Sequence, residues 1–219
     1  SDQKLLVKSG FAVEVEMNQR GYIRAQVSKG KESTKIEWAH DSAWRFLPPI
    51  KRPETGYQLD PIDLAINKIL ALAGRDEPRD FLDALYINSQ VLPLGALCWA
   101  AVGKDPGFTP LSLLELLKRR GKYRQEDFAK LHLAGEMPNL VQLKAEWLEA
   151  LSKVELFIQD HIAGELGCLF YSKLNKSFVA PTYSELSDPK LGIVLHFGRP
   201  GGIYPEFETK DPISEKFNP

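Results

Sequence analysis

The sequence predicts an α+β protein, and two patterns carry that prediction. Between residues 11 and 39 apolar side chains recur at every second position, the period of half-buried strands. Beyond residue 60 they recur every three to four positions between recognisable helix caps. With 219 residues and 43% apolar content, the chain can bury one sizeable core, or a compact domain plus an appendage. Its 28 basic and 29 acidic residues exclude a globally basic nucleic-acid coat and leave any polyanion to a local patch.

The opening stretch "QKLLVKSGFAVEVEM" reads as the last turn of a helix, a Gly turn and a strand. That helix has no start signal, so an upstream segment is expected to be missing. Phe11, Val13, Val15 and Met17 alternate with Ala12, Glu14 and Glu16. Tyr22 to Val27 and Thr34 to Ala39 repeat the alternation across the turns "NQRG" and "SKGKE", which predicts a three-stranded antiparallel meander. The proline-rich "RFLPPIKRPETGYQLDP" is a surface excursion leading into a helix.

That helix opens with Asp60 as N-cap and Pro61 at the first position, and Gly74 is expected to close it in the left-handed conformation. Ile62, Ala65, Ile66, Ile69, Leu70 and Ala73 form its apolar face, with Lys68 and Arg75 on nearly the same stripe. A second helix starts at Pro78, turns Phe81, Leu82, Leu85 and Tyr86 inward and carries Asp80 and Asp83 one turn apart. Thr109-Pro110 opens a leucine-rich helix ended by basic residues and Gly121. A long helix from Asn139, read as a capping box with Gln142, buries Leu140, Leu143, Trp147, Leu151, Val154 and Ile158. The last fifty residues read as irregular extended structure, ending in a solvated tail, "TKDPISEKFNP". The expected organisation is a sheet-bearing domain over 1–90, a helical domain over 91–165 and a C-terminal extension over 166–219.

Cys98 and Cys168 are isolated, with no CxxC and no neighbouring His. Neither a disulfide framework nor a zinc site follows, and a reducing, cytoplasmic setting fits. No run of about 18 apolar residues occurs.

The residues that invite chemistry are Glu37 on a strand, Lys68 on a helix and the pair Asp80 and Asp83. Metal-assisted phosphoryl or nucleotidyl transfer needs these types: carboxylates hold Mg²⁺ and polarise the attacking hydroxyl, and a lysine neutralises the triphosphate. The plainer reading is that Lys68 is a solvated helix residue and that the aspartates pair with Arg75 and Arg79. Lys118, Arg119, Arg120, Lys122 and Arg124 form the one basic cluster, at a helix end where cations also suit the dipole; four of them, Arg119, Arg120, Lys122 and Arg124, are candidate RNA contacts. "HFGRPGG" reads as a tight turn before a phosphate loop, and His196 as structural.

The runs "STKIEWAHDSAWRF" and "LDPIDLAINKILALAGRDEPRDFLDAL" resemble the third and fourth motifs of the AbiEii/AbiGii toxin-type nucleotidyltransferases, within the polymerase-beta-like superfamily. The resemblance is strongest over about residues 8 to 110. It implies a partial nucleotidyltransferase-type sheet followed by a helical domain, with Glu37 in "KIEW" as a metal-binding carboxylate and Lys68 in "NKILAL" as the nucleotide-contacting lysine. Arg75, Arg79, Asp80 and Asp83 match the family's Arg/Asp signature, the arginines on the nucleotide and the aspartates in the catalytic site. It further implies Mg²⁺ or Mn²⁺, an NTP substrate, a tRNA, other RNA or protein as acceptor of the NMP, and a cognate antitoxin as partner. The family's Gly-rich turn and D-x-D strand are absent from these residues, and Glu14 and Glu16 imitate only their spacing. Either a piece of an enzyme or a non-catalytic nucleotide- or RNA-binding remnant is therefore expected. A helix-turn-helix DNA reader over 111–131 is a third alternative.

Overall fold

Alternation at period two produces a meander. In the computed structural model, which describes residues 2–54, 56–131, 133 and 139–205, a helix α1 (Asp2–Lys8) precedes strands β1 (Ala12–Gln19), β2 (Tyr22–Lys29) and β3 (Glu32–Ala39). They pair antiparallel in the order β1-β2-β3, with Val13 opposite Val27, Val15 opposite Ala25, Ala25 opposite Ile36 and Ile23 opposite Trp38. These residues share one apolar face, on which Ala25 and Val27 are buried. The Trp38 indole donates to Asp2 Oδ2 at 2.8 Å and ties α1 to that face. Gly10, Gly21 and Gly30 turn the chain at positive φ.

Residues 1–42 form one compact unit and residues 43–219 a second. The second begins with short strands β4 (Trp44–Arg45), β5 (Ile50–Arg52) and β6 (Gly56–Gln58), of which β5 and β6 pair with each other. Six helices follow: α2 (Pro61–Gly74), α3 (Pro78–Gln90), α4 (Leu94–Lys104), α5 (Pro110–Leu117), α6 (Gln125–Ala129) and α7 (Leu140–Asp160). Then come β7 (Cys168–Ser172), β8 (Ser177–Val179), α8 (Tyr183–Leu186), β9 (Ile193–Phe197) and β10 (Arg199–Pro200). β7 is the central strand of an antiparallel sheet ordered β8-β7-β9, and β10 returns to pair with β4.

The fold is α+β, as the sequence predicts, but its division differs from the expected one. Ile66, Ile69 and Leu72 of α2 and Phe81 of α3 share one core with Leu97, Leu113, Leu114, Leu117, Trp147 and Val154, so no boundary falls at residue 90. Burial of an apolar face on α2 requires the helices that follow it. The stretch expected to be irregular after residue 165 instead supplies β7, buried throughout, with Leu169 in that same core. A Cβ on Gly103 would lie 2.3 Å from the Gly167 carbonyl oxygen, so the end of α4 rests on the backbone entering β7. Within the "GRPGG" turn, Gly201 and Gly202 take positive φ and the Gly202 N–H donates to the Arg199 carbonyl, which is the tight turn predicted. His196 is buried, its Nε2 lying 3.0 Å from the Phe46 carbonyl oxygen.

Helix ends follow the caps with three exceptions, one of them α5, which stops at Leu117 with Lys118 as its C-cap and not at Gly121. Asp60 accepts from the Ile62 N–H and Thr109 from the Ser112 N–H, as expected. Gly74, however, does not adopt positive φ, and α2 ends at an extended Arg75. Asn139 caps α7 through the Val141 and Gln142 N–H groups, but the Gln142 side chain donates to Glu146 and closes no reciprocal box. The expected solvated tail over 209–219 lies outside the described residues. Among those described, no single helix is long and apolar enough to cross a membrane; α3 and α4 together match that composition, but they bend by 113° and α4 is core.

Candidate functional site

The end of α2 and the start of α3 meet around one buried carboxylate. Asp80 sits in the first turn of α3 with its side chain fully buried. Arg75, just past α2, donates to it through Nε at 2.6 Å and a terminal nitrogen at 3.3 Å, a two-point contact. Lys68 Nζ stands 3.6 Å from the same carboxylate and 2.7 Å from Asp83 Oδ2. The spacing explains the meeting: Lys68 and Arg75 lie two turns apart on one stripe, and Asp80 and Asp83 lie one turn apart on the facing helix. Burial alone would raise the Asp80 pKa. The Arg75 hydrogen bond, then the charges of Arg75, Lys68 and Arg79, outweigh it and hold the carboxyl below its ordinary value. Lys68 keeps 30% of its side-chain surface exposed and Arg75 keeps 53%, so both cations face solvent while bound to buried charge.

The basic cluster joins this corner by a route invisible in sequence. Arg120 donates from Nε to the Leu72 carbonyl at 2.9 Å and from a terminal nitrogen to the Ala73 carbonyl at 2.7 Å. It thereby satisfies the orphan carbonyls at the end of α2, which is the physical reason Gly74 need not turn left-handed. Arg120 is thus engaged by the fold, holding the end of α2. Tyr123 donates its hydroxyl to Asp76 Oδ1 at 2.5 Å; burial first, then this hydrogen bond, pushes its pKa up. These two anchors set the exposed Arg119, Lys122 and Arg124 beside the α2–α3 corner. Lys118 is tied to Glu115 at 3.1 Å and Glu155 at 3.4 Å.

Glu37 belongs to the first unit. Arg24 Nε lies 3.0 Å and Lys35 Nζ 3.5 Å from its Oε1. The Tyr22 hydroxyl first, then Lys35 and Arg24, hold its carboxyl below the ordinary range although burial acts the other way. Among the described residues no three His, Cys, Asp or Glu side chains form a group that could hold a metal ion. Each expected catalytic carboxylate is already matched by cations: Glu37 by two, Asp80 by two and Asp83 by one. The carboxylates as arranged therefore do not fit a Mg²⁺ or Mn²⁺ ligand set.

Several buried polar residues carry no signal in the sequence, among them Asp63, His161 and Ser172. Asp63 is fully buried and accepts the N–H groups of Phe46 at 2.9 Å and Leu47 at 2.8 Å, pinning the segment after β4 to α2. Burial pushes its carboxyl up, and those two N–H groups, followed by Lys104 and Arg45, pull back without cancelling. In sequence it resembles any first-turn acid. Both thiols are buried, and burial pushes Cys98 and Cys168 each up to about 12. The helix-turn-helix alternative meets a second helix, α6, of only five residues.

None of the known protein families matches this chain, and neither a curated protein nor a solved structure matches it.

Proposed function

We propose that the chain binds the phosphates of a nucleoside triphosphate through Lys68 and Arg75, as the nucleotide-handling part of a protein that moves an NMP to an RNA acceptor. The observation that carries this reading is the posture of Lys68. Its ammonium is fixed by Asp80 and Asp83 while 30% of the side-chain surface stays exposed, so a phosphate oxygen can take the place of the Asp83 contact without any change of backbone. A triphosphate brings concentrated negative charge, and a held lysine beside a two-point arginine is suited to it. Arg119, Lys122 and Arg124, exposed beside the same corner, favour RNA over a protein acceptor. A magnesium ion and a cognate antitoxin are what the family resemblance adds, and no step is assigned to the metal.

The ion-pair matching of Glu37, Asp80 and Asp83 favours a second reading, in which the chain binds nucleotide or an RNA end without catalysis. One experiment separates the two. The protein is incubated with each NTP labelled at the α-phosphate, Mg²⁺ and total RNA, and label is followed both as bound nucleotide and as covalent product. Transfer that is lost in Lys68→Ala and in Glu37→Ala supports the enzyme. Binding lost in Lys68→Ala without any transfer supports the binding module, and binding unchanged by Lys68→Ala removes both.

A further inference from the structure

β3 is an open edge of the first unit's sheet, and its sequence complements itself when run antiparallel. Among the described residues it pairs only with β2, over eight residues without proline or bulge. Half of its backbone N–H and C=O groups therefore point outward, the usual template for another strand. The opposite edge is guarded. β1 carries an extra residue between Val15 and Met17, and its Glu14 and Glu16 would repel a like strand.

We propose that β3 pairs antiparallel with β3 of a second copy of this chain, about a two-fold axis through Ile36, to make one continuous six-stranded sheet. In that register Lys35 faces Glu37 of the second copy and Glu37 faces its Lys35. On the other face Ile36 meets Ile36, and Thr34 meets Trp38. The faces match because Lys35 and Glu37 share one side of the sheet, where Glu37 already holds Lys35 at 3.5 Å. Ile36 and Trp38 share the apolar side, each half-buried. Neighbouring registers fail on charge: an axis through Lys35 sets lysine against lysine, and one through Glu37 sets glutamate against glutamate. A slip by one residue places apolar side chains on the polar face. The pairing uses both β3 edges and leaves only the bulged, acidic β1 edges outside, so assembly closes at two copies. It does not depend on the nucleotide reading.

Sedimentation equilibrium of the full chain over a range of concentrations tests this, with Lys35→Glu, Glu37→Lys and the double charge swap. The wild type should reach twice the 24.7 kDa chain mass. Each single substitution sets like charges opposite each other at both symmetric positions, and should weaken dimerisation about tenfold or more. The double swap restores opposite charges and should restore the dimer, which a substitution that merely damaged the fold would not allow. A monomer at every concentration overturns the proposal. So does a dimer indifferent to the single substitutions, or one that the double swap fails to recover.

Discussion

Replacing Asp80 by Asn removes one negative charge from the point where Arg75 and Lys68 converge, and keeps the side chain's shape. The charged hydrogen bond from Arg75 at 2.6 Å is the principal loss. Such bonds contribute about 1.5–3 kcal/mol net, and stripping one partner from a fully buried pair costs about 3–5 kcal/mol. Here both cations remain partly solvated and Lys68 retains Asp83, so the expected loss is roughly 2–3 kcal/mol. Urea unfolding followed by Trp fluorescence reads it directly. In thermal unfolding, about 2–4 °C per kcal/mol for a chain of this size gives a drop of roughly 4–12 °C. The pH dependence supplies a second, independent check. Asp80 is held below its unfolded pKa of about 3.9, so its contribution is present above that pH and is lost as pH falls through the lower folded value. The Asn variant has nothing to lose there, so the gap between the two proteins should narrow as pH falls through the lowered folded value and close once Asp80 is protonated in both states. Asp60 and Asp63, which burial raises, act in the opposite sense but are common to both proteins and cancel in the difference. A variant within about 0.5 kcal/mol of wild type at neutral pH, or a gap that persists in acid, refutes the assignment of Asp80 as the charge that holds this corner together.

Arg120→Ala should cost roughly 2–3 kcal/mol, because it abandons two helix-end carbonyls, whereas Lys122→Ala and Arg124→Ala should stay within about 0.5 kcal/mol in the same urea titration. If RNA gel-shift assays show the reverse sensitivity, Lys122 and Arg124 weakening binding while stability is untouched, the division of the basic cluster into anchor and contact residues holds; equal effects on stability contradict it. Cys98 and Cys168, buried and pushed up to about 12, should be inert to a thiol reagent at pH 8 in the native protein and react together on unfolding. Stoichiometric labelling under native conditions would place at least one of them outside the core.

What the sequence made legible follows the strength of the local pattern. The meander was readable because Val13, Val15, Ile23, Ile36 and Trp38 alternate cleanly and the turns carry glycine. Helices α2, α3, α5 and α7 were readable because Asp60-Pro61, Pro78, Thr109-Pro110 and Asn139 announce their starts. α4 has no polar face at all from Leu94 to Val102, so its period says nothing about where it packs. β7 is buried on both sides, and its "CLFYS" lacks the alternation that marks a half-buried strand. At the candidate site, the grouping of Lys68, Arg75, Asp80 and Asp83 followed from helical spacing across one short break. The capture of α2 by Arg120, the Tyr123–Asp76 contact and the Asp63 bridge each span 16 or more residues of chain, and no local pattern encodes them. They arise only when the elements pack.

The claim that phosphates meet Lys68 is tested most directly by equilibrium titration of the wild type, Lys68→Met and Asp83→Asn with each NTP. Asp83 holds the lysine at 2.7 Å and so competes with an incoming phosphate. If phosphates meet Lys68, the wild type binds saturably, Lys68→Met loses at least tenfold in affinity, and Asp83→Asn binds more tightly. Equal affinity in all three proteins, or binding to none of them, would contradict it.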